Sequence, residues 1–168
     1  IAALVQQALL WPDASLLVPQ LIDASANLQV NYSWPRGSWT PKTEAATGPA
    51  NVGYACAAVM LVDMANVARI GHFDPLFFLY YEDEDWCLRV FKAHGQIMVL
   101  PAIRITHLSR GSVKGNRPWR AEYWRGYHHA QSKVLFAWKH EGPDAAGRLR
   151  HRVLLTSALN VLARMLLL

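Results

Sequence analysis

Four consecutive acidic residues, Glu82 to Asp85, carry the clearest chemical signal in this 168-residue chain. Their like charges repel, and they directly follow the apolar stretch from Phe77 to Tyr81, where charge is costly to place. The run therefore predicts a functional site. A carboxylate in such a site can act as a general base, which takes a proton from an attacking hydroxyl group. A structural alternative stays open, in which the carboxylates only favour the positive end of a helix.

A basic and flexible segment, residues 109–117, follows further along the chain and ends in Lys114, Gly115, Asn116 and Arg117. Its cations and backbone N–H groups could close over a diphosphate and exclude water. An ordinary solvated loop has the same composition, so this alternative also stays open.

The acidic run and its surroundings resemble the inverting family 2 glycosyltransferases of the GT-A fold, particularly the bacterial rhamnosyl- and galactofuranosyltransferase-like branch. The resemblance runs from about residue 1 to residue 140. The segments that carry it are Gly71-His72-Phe73-Asp74, Phe77-Phe78, the acidic run, Pro101 and His107. It implies an α/β fold with a mixed sheet and flanking helices, of which this chain holds the later part.

In that family, a nucleotide-binding half precedes this part and ends in an Asp-x-Asp motif that holds a divalent metal and the donor diphosphate. The triplet Asp83-Glu84-Asp85 has similar letters but stands at the acceptor-side motif. We therefore expect the N-terminal nucleotide-binding half to be missing from this sequence.

The resemblance also implies roles for single residues. Asp83 matches the carboxylate that serves as general base, and His107, 24 residues later, matches a histidine that completes the metal shell. The expected cofactor is a divalent metal, Mn²⁺ or Mg²⁺. Imidazole is a good ligand for Mn²⁺, whereas Mg²⁺ sites accept it less readily. The implied acceptor-binding residues are Tyr81, Glu82, Asp85 and Trp86, and those of the donor diphosphate loop are Arg110, Ser112 and Lys114.

For two of these residues, purely structural interpretations stay open beside the functional ones. A lone histidine after a strand is more often structural. Asp85 stands four residues before Arg89, and this spacing predicts an ion pair within one helix.

The function implied is transfer of a sugar, rhamnose or a related hexose, from a nucleotide-diphosphate donor to a cell-envelope glycan or lipid-linked acceptor, with inversion. A second hypothesis is a non-catalytic carbohydrate-binding or membrane-docking remnant of such an enzyme. A third, an unrelated acidic metal-binding domain, would need more ligands than Asp83, Asp85 and His107 offer.

Composition narrows the partners. With 52% hydrophobic residues the chain can bury one core, and its formal charge of +5 suggests an anionic partner such as a nucleotide diphosphate, a lipid diphosphate or an acidic membrane. Nucleic acid is not expected, because the basic residues form no dense stripe.

Cys56 and Cys87 are interpreted as buried thiols, and the seven Trp as core residues or as flat surfaces on which sugars stack. No signal peptide is visible, so a cytoplasmic location is the expectation.

We divide the chain into residues 1–140, the acceptor-side part, and residues 141–168, a basic and apolar helix. From Gly147 onward three arginines and His151 precede a strongly apolar run. Such a helix can lie on an anionic membrane, here the inner face of the plasma membrane, whereas Arg164 argues against a simple span. Packing on the protein or on a second copy is the open alternative.

Periodicity and turn residues predict the remaining elements. The predicted helices are Ala2–Leu10, Met64–Ile70 with Asp63 as cap and Gly71 at its end, Asp85 to about His94 closing at Gly95, and Trp119–Trp138. The predicted strands are Ser15–Val18, a continuous buried strand Tyr54–Val62, and two short strands, Ile97–Leu100 and Ile103–Thr106, broken by Pro101. The family resemblance implies a short hairpin after the first of these strands, within Leu21–Val30. Asn31–Ala50 is predicted as a long loop.

Overall fold

The computed structural model describes residues 1–33, 44–108 and 118–166. Its helices are α1 (Ala2–Ala8), α2 (Met64–Ile70), α3 (Glu82–Lys92), α4 (Pro118–Glu141) and α5 (Pro143–Leu166). Its strands are β1 (Ala14–Ile22), β2 (Leu28–Gln29), β3 (Tyr32–Ser33), β4 (Ala50–Val52), β5 (Tyr54–Ala55), β6 (Leu61–Val62) and β7 (Gln96–Thr106). The predicted α/β class with a mixed sheet and flanking helices is confirmed.

The main sheet is built around β1 and β7, which run parallel to each other. The strand order is β2-β1-β7-β4, and β6 also pairs with β1. The pairs β1–β2, β1–β6 and β4–β7 are antiparallel. Alternate side chains of the two central strands point to opposite faces. Leu16 and Val99 belong to one apolar cluster, and Leu17 and Met98 belong to the other. Burial on both faces explains why these strands read as continuous apolar runs.

Helix α3 lies on the first of these faces through Trp86, Cys87 and Val90, which are all buried. The helix begins three residues earlier than predicted. Phe91 is about half exposed, and Val90 takes the core position. Gly95 follows the helix and approaches the start of β1 closely: a Cβ atom there would stand 2.4 Å from Ser15 Oγ and 2.8 Å from Val90 Cγ1. The glycine is therefore required by packing, while the positive φ of this turn is found at His94.

The prediction of one strand over Tyr54–Val62 is wrong. The segment forms two strands of two residues each, β5 and β6, separated by a turn. β5 pairs with β3 in a separate two-stranded sheet, whereas β6 pairs with β1. A run of small apolar residues is compatible with a strand or with a buried turn, so the pattern could not separate the two.

The two prolines in the central strands do not end them. β1 continues through Pro19 to Ile22, and β7 is one strand of eleven residues that passes through Pro101. The pairing register shifts after Pro19, where Leu100 is followed by Arg104 as the next paired residue of β7. The irregularity accommodates the missing N–H group, so the predicted break at Pro101 is replaced by a bulge.

The other elements follow the sequence signals. Asp63 caps α2 by accepting a hydrogen bond from the Ala65 N–H at 3.0 Å, as predicted. Gly71 ends that helix with a positive φ of 89°, although its ψ of 169° lies outside the left-handed helical region. The predicted hairpin after β1 is confirmed by the antiparallel pairing of β2 with Leu21 and Ile22.

The chain forms two compact units. The first contains residues 1–74 and 83–114, and the second contains residues 75–82 and 115–168. The first unit holds the sheet with α1, α2 and α3; the second holds α4 and α5, which contact each other. The predicted division at residue 140 stays a prediction, and α4 and α5 belong to the same unit. Helix α5 begins at Pro143, directly after Gly142 with its φ of 96°, within the range predicted for it.

Candidate functional site

Asp83 lies in the first turn of α3 and is 8% exposed. Its Oδ2 atom accepts hydrogen bonds from the Tyr54 hydroxyl at 3.2 Å and from the Ala57 N–H at 3.1 Å. Its Oδ1 atom accepts from the Glu84 N–H at 3.0 Å. The carboxylate is thus held in one orientation by donors from the β5–β6 region and from its own helix, as a positioned base requires.

The turn between β5 and β6 creates this arrangement. A straight strand over Tyr54–Val62 would alternate its N–H groups along the sheet, whereas the turn directs the Ala57 N–H to the start of α3. Sequence reasoning missed both partners of Asp83, since they lie 29 and 26 positions earlier with no motif of their own. An apolar segment that begins with a tyrosine is too common a pattern to reveal them.

Burial makes the groups around this carboxylate hard to ionise. Burial first, and then the nearby negative charges of Asp83 and Glu84, raise the pKa of Tyr54 far above its usual range. The pKa of the Cys56 thiol is raised, mainly by burial, and burial raises the pKa of Cys87 to about 12. Tyr54 therefore stays a neutral hydroxyl donor to Asp83 throughout the pH range of ordinary enzymes.

Asp85 and Trp86 lie in the interior, with 0% and 1% of their surface exposed. The predicted ion pair is confirmed: Asp85 Oδ2 lies 2.9 Å from Arg89 Nε. The Arg89 guanidinium also donates to the carbonyls of Ile70 and His72, and Trp86 Nε1 donates to the carbonyl of Gly71 at 2.9 Å. Both side chains thus tie α3 to the end of α2, which favours a positioning role over direct acceptor contact.

His107 follows the last residue of β7, and its backbone N–H donates to the carbonyl of Ile22 at 2.8 Å. Its Nδ1 atom lies 3.3 Å from Gln29 Oε1. Because an amide oxygen only accepts hydrogen bonds, this contact selects the tautomer protonated at Nδ1 and leaves the lone pair of Nε2 for a ligand. Gln29 is held in turn by Gln20, whose Nε2 donates to the Gln29 carbonyl at 2.8 Å.

The described residues do not by themselves form a metal site. Within 1–33, 44–108 and 118–166, no group of three or more His, Cys, Asp or Glu side chains comes together. His107 can therefore supply one nitrogen ligand, and the other ligands would have to come from elsewhere. The assignment of Asp83 as general base and of His107 as metal ligand stays a prediction. The predicted donor-loop residues Arg110, Ser112 and Lys114 lie outside the described residues.

Tyr80 and Tyr81, directly before α3, both have positive φ, at 68° and 66°. Such a backbone is strained in residues other than glycine and is found most often at functional sites. Each tyrosine ring lies 5.5 Å from the ring of His129, and the Ser132 hydroxyl donates to the carbonyl of Leu79 at 2.9 Å. These contacts with α4 hold the strained segment in place within the second unit. Acceptor binding by Tyr81 and Glu82 stays a prediction.

No protein-family model matches the chain. Curated sequences do show relatives. The chain is similar to bacterial rhamnosyltransferases. The N-acetylglucosaminyl-diphospho-decaprenol L-rhamnosyltransferases of two Mycobacterium tuberculosis strains are 27% identical over 164 aligned positions, which cover 84% of this chain and 52% of theirs. The chain thus spans about half the length of these curated relatives. This match supports the relationship to glycosyltransferases that the acidic run and its neighbours predicted.

None of the helices in the described part of the chain is both long enough and apolar enough to cross a membrane.

Proposed function

We propose that this chain is the acceptor-side part of an inverting glycosyltransferase of the GT-A fold, family 2. The whole enzyme moves a sugar, rhamnose by similarity to its relatives, from a nucleotide-diphosphate donor to a lipid-linked or cell-envelope glycan acceptor. The observation that carries this proposal is the held carboxylate of Asp83. It stands at the family's base position in a chain that aligns over 84% of its length with rhamnosyltransferases.

In this proposal Asp83 removes the proton from an acceptor hydroxyl while that oxygen attacks the anomeric carbon from the face opposite the leaving diphosphate. One base is enough, because a nucleotide diphosphate is a good leaving group. Tyr54 and Ala57 keep the carboxylate pointed in one direction, so no reorientation is needed when the acceptor arrives. Asp85 and Arg89 hold the first turns of α3 through their ion pair.

A divalent metal, Mn²⁺ or Mg²⁺, belongs to the proposal through His107. The free Nε2 atom of its selected tautomer suits Mn²⁺ better than Mg²⁺, which prefers oxygen ligands. The bound metal would supply charge stabilisation for the donor diphosphate. This chain's own contribution is the placement of the imidazole by Gln29 and by the backbone bond to Ile22.

Membrane association is the remaining part of the proposal. A lipid-linked acceptor has its reactive sugar at a membrane surface, and the basic first half of α5 carries Arg148, Arg150 and Arg152. Basic residues ahead of an apolar helix suit an anionic lipid surface.

The second candidate is a carbohydrate-binding or membrane-docking remnant without activity. Asp85 and Trp86 are deeply buried, which leaves fewer groups for acceptor recognition than the motif suggested. This burial is the observation that favours the second candidate.

A transfer assay separates the two candidates. The longest protein that contains this chain is incubated with a panel of nucleotide sugars, Mn²⁺ and a diphospholipid-linked N-acetylglucosamine acceptor. Transfer and donor hydrolysis are measured separately. We expect acceptor-dependent transfer from dTDP-rhamnose and little hydrolysis without acceptor. Acceptor binding without transfer from any donor would support the remnant instead.

A further inference from the structure

The first half of α4 carries a cluster of aromatic side chains, most of which face solvent, and Phe78 from the segment before α3 joins it. We call it the α4 aromatic surface, and its members are Phe78, Tyr123, Trp124, Tyr127 and His128. The largest exposures are 79% for Phe78 and 62% for Tyr123, while Trp124 and Tyr127 are about half exposed. All five residues belong to the second compact unit. So many exposed rings in one place mark an interaction surface.

The rings contact one another in a continuous chain. The Trp124 ring is stacked on His128, at 5.9 Å between centroids, and Phe78 meets His128 from outside the helix at 5.0 Å. Tyr123 and Tyr127 meet the Trp124 ring edge to face, at 5.5 and 5.7 Å. Sugar-binding platforms offer flat, open ring faces, whereas these rings turn their edges and faces to each other. The ring geometry therefore favours contact with a deformable apolar environment, such as a lipid surface, over binding of a single sugar.

The charge of the chain is concentrated in the same region. Residues 118–168 contain eight Lys and Arg against three Asp and Glu, whereas residues 1–117 contain nine of each. Eight less three gives +5, which is the whole formal charge of the protein. A large anionic surface is thus attracted more strongly to this pair of helices than to the rest of the chain, whose net formal charge is zero.

Helix α5 adds apolar area to the same unit. Leu154, Leu155, Leu159, Leu162 and Met165 are each more than half exposed. At 100° per residue these five positions fall within an arc of about 140°, on one side of the helix. A helix with one apolar side and basic residues ahead of it can lie along an anionic membrane surface, and the net positive charge of residues 118–168 favours such a surface over an uncharged protein partner.

We propose that the α4 aromatic surface inserts into the headgroup region of an anionic lipid bilayer, beside the docking of α5. Trp and Tyr rings favour this region, because their apolar bodies and polar edges suit the boundary between acyl chains and water. Arg120, on the first turn of α4, and the arginines of α5 then contact lipid phosphates. This inference extends the membrane part of the proposed function and is independent of whether the chain transfers sugar.

The test is co-sedimentation of the full 168-residue chain with vesicles of phosphatidylcholine, with and without phosphatidylglycerol, in the absence of any sugar donor. In the main variant, Tyr123→Ser, Trp124→Ser and Tyr127→Ser are combined. Its apparent Kd for anionic vesicles is expected to rise on the order of tenfold or more, through lost apolar burial. Because apolar insertion is not screened by salt, the remaining binding should keep its salt dependence. Phe78→Ser, outside the helix, is the second variant should the triple one unfold, and it is expected to weaken binding by a smaller factor.

Two controls assign the effect. Phe91→Ser removes a ring that is 48% exposed on α3, in the first unit, and is expected to leave vesicle binding unchanged. Replacing Arg148, Arg150 and Arg152 with Gln is expected to weaken binding mainly at low salt. Equal binding of the triple variant and the unchanged chain would overturn the proposal. So would ring-dependent self-association, or ring-dependent binding of soluble glycans, without vesicle binding.

Discussion

At the scale of single residues, the role of Asp83 can be separated from that of its neighbours. Asp83→Asn keeps the size of the side chain and its carbonyl oxygen for the Tyr54 and Ala57 donors, but it removes the base. In the full-length enzyme we expect transfer to fall by roughly 10²- to 10⁴-fold, the range typical of general base catalysis, with donor affinity nearly unchanged. Rates of transfer and donor binding are measured on the same preparation, and normal transfer by this variant would make Asp85 the next candidate.

His107→Ala should behave differently, because it removes a metal ligand and leaves the base in place. We expect metal and donor affinity to fall together, and added Mn²⁺ to recover part of the activity by mass action. The Asp83→Asn variant serves as the control, since extra metal cannot replace a missing base. If both variants respond to Mn²⁺ in the same way, the assignment of base and ligand fails.

The buried thiol of Cys87 makes stability fall at alkaline pH. Its pKa is raised from 9.0 to about 12, mainly by burial, so the unfolded chain loses this proton at lower pH than the folded chain. The stabilisation is complete below about pH 9 and is lost as the pH rises from there towards 12. By pH 10 the free energy of unfolding should fall by roughly 1 kcal/mol on this account. Urea unfolding at pH 7.5 and 10 checks this, and Cys87→Ala should show the smaller drop between the two pH values.

The residues of the candidate site were only partly predictable from the sequence. Asp83 could be found because four adjacent carboxylates are rare, and the ion pair of Asp85 with Arg89 because it is local to one helix turn. The Tyr54 hydroxyl and the Gln29 contact to His107 could not, because they depend on pairing between distant segments. Hydrogen bonds of this kind leave no periodic trace in the sequence.

At the scale of elements, two glycines give opposite predictions for the same substitution. Gly95→Ala places a methyl group 2.4 Å from Ser15 Oγ and 2.8 Å from Val90 Cγ1, so the packing of these two side chains must shift. We expect a loss of roughly 1–3 kcal/mol in the free energy of unfolding, typical of overpacking. Gly126→Ala, in the middle of α4 with no atom within 4 Å, should instead stabilise by about 0.5–1 kcal/mol. Urea unfolding of both variants measures the difference, and equal effects would contradict the close approach at Gly95.

Helices were predicted better than strands, for a physical reason. α2 has a cap and a terminal glycine that act locally, α3 has an amphipathic pattern, and α4 is predictable from its length. β4 was missed because Ala50–Val52 is short and partly polar, and it becomes a strand only by pairing with β7. The same dependence on partners divided Tyr54–Val62 into two strands and allowed β7 to continue through Pro101.

At the scale of the whole molecule, charge and apolar exposure are distributed unevenly between the two compact units. The unit with the sheet holds the candidate base and has its apolar side chains in two clusters. The unit with α4 and α5 holds much of the exposed aromatic and aliphatic surface and most of the excess positive charge. This separation is consistent with chemistry on one unit and attachment on the other.

The parallel pairing of β1 with β7 also constrains how the chain can fold. Leu17 pairs with Met98, 81 positions later, so the central pair of the sheet closes a very long loop. Contacts this distant in sequence slow folding, because the chain loses the entropy of loop closure before the pairing contributes any stabilisation. On the ribosome, β1 emerges long before β7, so the edge of β1 that pairs with β7 stays unpaired until β7 has been synthesised. An unpaired strand edge can pair with another chain, so this interval is when the nascent chain is open to misassembly.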